Sequence, residues 1–145
     1  MRHRARLPGL LLSTAVAGLV ACSIVPAFDV DAPARVLIDR PSRLPSQWEG
    51  TWRSARGASG VLRVFIDWAE GNRLGGRLQF EGGTCGRSVE FAGRARDRTL
   101  TLEAELGAPC GTATVRIIES AEPQRLVGSY RTSAEESGLF AIYPK

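Results

Sequence analysis

The chain has 145 residues, with 19 basic and 15 acidic side chains, a formal net charge of +4, three cysteines and a single histidine. Three of the basic residues and the histidine crowd into the first six positions as Arg2, His3, Arg4 and Arg6. From Leu7 onward 16 basic residues face 15 acidic ones, a balance that gives no charge argument for nucleic acid, and no histidine is left for Ser-His-Asp or Cys-His activation or for a His-ligated zinc or iron site.

The charged opening is followed by Leu7–Val20, fourteen uncharged residues with Pro8 and Gly9 near the start. That order, charged then apolar, is the order of an export signal, and the run is short of the roughly 20 residues a bilayer-spanning helix needs. Residues 1–21 are therefore read as a signal peptide. Leu19-Val20-Ala21-Cys22 closes the run and resembles the lipobox of bacterial lipoproteins at all four positions. The resemblance implies lipidation of Cys22, cleavage before it, and a domain attached to the membrane through covalent lipid. More than one acyl chain, at about 0.8 kcal/mol per buried methylene, is what stable attachment requires. Ser23 stands where an Asp would mark inner-membrane retention in enteric sorting, which weighs toward the outer membrane, with the domain facing the periplasm.

Ser23–Ser46 carries Pro26, Pro33, Pro41 and Pro45 among mixed charges. With the lipidated residue, this makes 22–46 an extended tether with a reach of roughly 25 to 30 Å if flexible. Val36-Leu37-Ile38 is its one apolar cluster, read either as tether or as a short strand docked on the domain.

Residues 47–145 read as one all-β domain. Apolar and polar residues alternate with period two, as in Leu62-Val64-Ile66, Leu78-Phe80, Val89-Phe91, Leu100-Leu102, Val115-Ile117 and Phe140-Ile142. No window shows a helical stripe, and sixteen glycines supply turns. The predicted strands are 47–54, 60–68, 73–81, 86–95, 98–106, 112–119, 124–132 and 138–143. A hairpin repeat runs through them: Gly50-Thr51-Trp52, Gly76-Arg77-Leu78 and Gly128-Ser129-Tyr130 are each followed ten residues on by Gly60, Gly86 and Gly138. A meander of about eight short strands escapes exposed edges by closing into an up-and-down barrel.

Gly50-Thr51-Trp52 also resembles the G-x-W of lipocalins, avidins and the lipocalin-like domains of bacterial lipoproteins. The likeness implies that Trp52 packs at a barrel end. With Cys22 assigned to lipid, Cys85 and Cys110 remain as a pair in a compartment where disulfides persist. Their bridge would join two loops at one end of the barrel.

An eight-stranded barrel either fills with side chains or holds one small ligand. The sequence leaves both open: a solid core, or a shallow apolar cavity at the end opposite Trp52. Arg94, Arg96 and Arg98 fall at period two, either as an outward anion-binding row or as a solvated rim beside Asp97. Trp48 and Trp68 read as core or barrel-end packing, and Glu135-Glu136 as a solvated turn rather than a catalytic pair. No cofactor or metal site is expected. The function these features imply is a non-catalytic envelope module, binding a small apolar molecule or an envelope protein. The alternative is a lipoprotein inhibitor of secreted proteases, which the barrel outline resembles and which would have to present part of Ser23–Ser46.

Overall fold

Strict alternation of apolar with polar residues leaves each strand one face to bury, and eight such strands bury it together by closing on themselves. In the computed structural model, described for residues 38–85 and 88–145, a short 3-10 turn at Pro41–Arg43 leads into β1 (Gln47–Ser54), β2 (Ser59–Glu70), β3 (Arg73–Phe80) and β4 (Ser88–Arg96). β5 (Thr99–Gly107), β6 (Gly111–Glu119), β7 (Leu126–Thr132) and β8 (Ser137–Pro144) complete the set. Each strand pairs antiparallel with the next, and β1 pairs with β8, from Trp48 opposite Pro144 to Ser54 opposite Gly138, so the barrel is closed. The expected strand limits shift by one or two residues; Gly86, the expected start of the fourth strand, lies outside the described residues.

The inward positions are those the alternation selects. Leu62, Val64, Leu78, Phe91, Leu100, Leu102, Val115, Ile117, Phe140 and Ile142 form one buried cluster. Glycine enters it where the backbones come too close for a side chain: a Cβ on Gly50 would fall on the Ala141 carbonyl, and one on Gly76 on the Phe65 carbonyl. Gly-x-Trp and Gly-x-Leu in the repeat thus mark points where the neighbouring strand leaves no room for a side chain.

The repeat is clearest in the β1–β2 and β7–β8 turns. Ser54 Oγ accepts the backbone N–H of Ala58 at 3.1 Å, and the Ser54 N–H donates to the Ala58 carbonyl at 2.8 Å. Thr132 Oγ1 accepts the N–H of Glu136 at 3.1 Å, and the Thr132 N–H donates to the Glu136 carbonyl at 2.8 Å. Gly57 and Glu135 hold the equivalent positive φ, +93° and +61°. A buried hydroxyl two residues beyond Trp52 and Tyr130 builds the same turn twice.

Residues 38–46, read from the sequence as the last part of the tether, pack on the barrel. Ile38 is fully buried in the core cluster, Pro41 is buried, and the segment 38–46 covers the barrel end formed by the β4–β5 turn and the β6–β7 loop. The Ile38 N–H donates to Glu119 Oε1 at 2.9 Å, and the Arg98 N–H donates to Asp39 Oδ1 at 2.9 Å. Apolar burial of Ile38 and Pro41 supplies the reason; Val36 and Leu37, read with Ile38 as a short docking strand, lie outside the described residues. Residues 1–37, with Cys22 and most of the tether, lie outside the described residues.

Glu119 holds this end together: its side chain is 6 % exposed, and Oε2 accepts Arg98 Nη2 at 3.1 Å. Glu119→Ala leaves the Ile38 N–H without its carboxylate, so we expect a loss of about 1–3 kcal/mol and faster tryptic cleavage after Arg43. An unchanged cleavage rate would show that the segment is not held through Glu119.

Candidate functional site

The barrel interior is filled. The void inside it, lined by Leu62, Leu78, Leu102, Ile117 and Phe140, measures ≈ 10 Å³, less than one water needs. A second hollow of ≈ 40 Å³ lies at the disulfide end, lined by Trp52, Phe80, Cys85, Leu106 and Tyr130 among others. Both fall far below the few hundred Å³ of an ordinary ligand site. Of the two sequence expectations, the solid core is what forms. The end opposite Trp52, where a cavity was the alternative, is closed by Ile38 and by Trp48, whose Nε1 donates to the Pro45 carbonyl at 2.8 Å.

Trp52 is buried near the other end. Its Nε1 donates to the Glu81 carbonyl at 3.0 Å, and its ring meets Phe80 and Tyr130 edge-on at 6.5 and 6.4 Å. The β3–β4 loop crosses this ring, with Gly83 against it, and is fastened by the Cys85–Cys110 disulfide, whose Cα atoms are 5.8 Å apart.

Tyr130 hydroxyl donates to Glu136 Oε1 at 3.4 Å. Burial, and then the adjacent Glu136 charge, push this phenol up to about 12. A group whose folded pKa is raised gives stability that is fully present below pH 10 and is lost as pH climbs toward 12. Spectrophotometric titration should find a tyrosine ionising near pH 12 that disappears in Tyr130→Phe; all tyrosine ionising near pH 10 would contradict it.

Of the two readings of Arg94, Arg96 and Arg98, the solvated rim beside Asp97 is what forms. β4 ends at Arg96, and Asp97 and Arg98 make the turn with φ of +51° and +60°. Arg98 folds back onto Glu119, and Arg96 pairs with Asp97 at 3.2 Å. Trp68 also departs from expectation: Trp48 is core, but Trp68 lies on the outer surface against Gly75, 48 % exposed. Glu135 and Glu136 sit in the β7–β8 turn. Among the described residues no group of three or more His, Cys, Asp or Glu side chains is placed to hold a metal ion.

The outer wall is where the surface becomes unequal. On β4 and β5 the outward residues include Glu90, Glu103 and Glu105, which border a shallow groove of ≈ 900 Å³. On β6, β7 and β8 no outward residue is acidic. Arg116, Arg131 and, on β1, Arg53 surround Leu139 there: Leu139 lies opposite both Ser129 and Arg53, Ser129 lies opposite Arg116, and Arg131 lies opposite Ser137. Two adjoining grooves of ≈ 1070 and ≈ 770 Å³ share Arg53, Arg116, Ser129 and Leu139 in their linings. Arg63, Arg77, Arg98 and Arg125 each hold a carboxylate, whereas Arg53, Arg116 and Arg131 have no ion-pair partner among the described residues. Glu49, at the far end of β1, is already engaged: Lys145 and Arg63 hold its carboxyl below the usual range.

Apolar residues share this wall. Among the described residues the large hydrophobics left exposed are Trp68, Ile118, Leu139 and Tyr143, and the last three are on β6 and β8, at 48, 68 and 44 % exposure. Ile118 continues across the sheet through Val127 and Ala141 to Thr51. The sequence reading passed over Arg53, Arg116, Arg131 and Leu139. A signal was present: the outward residues of β6 and β7 include arginine, and those of β6, β7 and β8 include neither aspartate nor glutamate.

No protein-family model matches this chain, and no curated protein matches it in sequence. Solved structures similar in fold include a redesigned β-barrel, with a TM-score of 0.60 at 12 % identity over 77 % of this chain and 99 % of that one. A de novo designed fluorescence-activating β-barrel gives 0.57 at 17 % identity over 74 % and 98 %. The barrel EF1p2_mFAP2b bound to DFHBI gives 0.54 at 13 % identity over 76 % and 100 %. At such identities the likeness is one of fold: a small, closed, eight-stranded antiparallel barrel.

Proposed function

We propose that this protein is a non-catalytic envelope lipoprotein, a binding module attached to the membrane through lipid on Cys22, whose working surface is the outer wall of β6, β7, β8 and β1. The observation that carries the reading is the trio Arg53, Arg116 and Arg131 around exposed Leu139, without a carboxylate among them. Guanidinium groups that hold no internal carboxylate remain available to an external anion.

A small apolar ligand inside the barrel is the weaker form of the proposal. Similar barrels include one described as fluorescence-activating and one bound to DFHBI, which supports the capacity of the fold. In this chain a ligand would have to displace core side chains from a void of ≈ 10 Å³. For protease inhibition the presented part of Ser23–Ser46 would have to be residues 23–37, since residues 38–46 pack on the barrel end.

The attachment is tested by metabolic labelling with palmitate in a bacterial host. Label on the protein, abolished by Cys22→Ala together with its sedimentation with membranes, is the expected result; absence of label would overturn it. No activity-based label for serine or cysteine hydrolases is expected to react.

A further inference from the structure

We propose that the Arg53–Arg116–Arg131 wall is a docking face for an anionic phospholipid surface, with phosphates taken by the guanidinium groups and Leu139, Tyr143 and Ile118 entering the headgroup region. This rests on the proposed membrane attachment and names the partner of the same wall.

Three features select a bilayer over other occupants. The face combines unpaired arginine with exposed leucine, tyrosine and isoleucine, the pairing of phosphate contact with shallow apolar insertion that interfacial segments use. Arginine grips phosphate bidentately. The wall also belongs to a closed barrel in which every strand already has two neighbours, so an extended acidic peptide finds no free edge to extend. A second copy of the chain offers Glu90, Glu103 and Glu105 on its β4–β5 wall. None of the exposed large hydrophobics named above lies on β4 or β5, so Leu139 would meet no apolar counterpart there.

The test uses the full chain with Cys22→Ala, so that lipid on Cys22 plays no part and the engineered thiol is the single free one. An environment-sensitive nitrobenzoxadiazole fluorophore is placed on Ser129→Cys, beside Leu139, or on Ala92→Cys, on the outward face of β4. Vesicles of equimolar phosphatidylglycerol and phosphatidylcholine should shift the emission of the first probe to the blue and leave the second unmoved, and pure phosphatidylcholine should do neither. Arg53→Gln with Arg116→Gln and Arg131→Gln should weaken the response about tenfold or more without moving the unfolding midpoint. Leu139→Ser should reduce the shift at saturating lipid. No shift at position 129, or equal shifts at 129 and 92, would overturn the proposal. So would a shift given by soluble polyglutamate but not by vesicles, or one that grows with protein concentration in the absence of lipid. Palmitate labelling of Cys22 stands apart: its success alongside failed vesicle docking would keep the attachment and discard this face, and the reverse outcome would do the opposite.

Discussion

Trp48→Ala should lower stability by about 3–5 kcal/mol, the range for removing a fully enclosed aromatic side chain. Trp48 is almost completely buried, pairs in register with Val64 on one side and Pro144 on the other, and belongs to the cluster that includes Ile38. Truncation removes its apolar contacts and leaves the Pro45 carbonyl without the 2.8 Å indole bond. Against a total of about 5–15 kcal/mol for a typical domain, that brings the protein close to unfolding. Urea denaturation gives the value. Because the lesion opens an apolar hole at an otherwise sealed end, added indole should recover part of the lost stability. A loss under about 1 kcal/mol would show that this end is not closed by Trp48.

The second large effect is expected from Cys85→Ser combined with Cys110→Ser. The bridge closes a loop with a sequence separation of 25, which in the loop-entropy treatment is worth about 3 kcal/mol. Its loss also frees the β3–β4 loop that covers Trp52 through Gly83 and receives the Trp52 Nε1 bond at the Glu81 carbonyl. Wild-type protein in dithiothreitol should lose stability by a similar amount, and the double variant should be insensitive to the reductant. Equal unfolding midpoints for oxidised and reduced wild-type protein would contradict this.

Period two was enough to read the strands, because a wall with one buried face writes its geometry into every second residue; Leu62, Leu102, Val115 and Ile142 point inward as the pattern requires. The disulfide followed from the two cysteines left once Cys22 was set aside. Ile38 and Pro41 were harder, since proline-rich composition describes a chain without periodicity and says nothing of where an isolated apolar residue finds a hole. The Asp97–Arg98 turn could be read from its polar pair between two alternating runs, but the reach of Arg98 back to Glu119 could not. The basic wall escaped notice because its arginines are spread over β1, β6 and β7. They become neighbours only through the β1–β8 closure, which brings Arg53 beside Leu139.

Whether the protein works from its outside or its interior is answered most directly by an amide chemical-shift titration with short-chain dihexanoyl phosphatidylglycerol, which offers an anionic phosphate and an acyl chain at once. The account predicts that perturbed amides cluster at Arg53, Arg116, Ser129, Arg131 and Leu139 while Leu78, Leu102 and Ile117 stay unmoved. Shifts concentrated on those inward residues, with the outer wall silent, would contradict it.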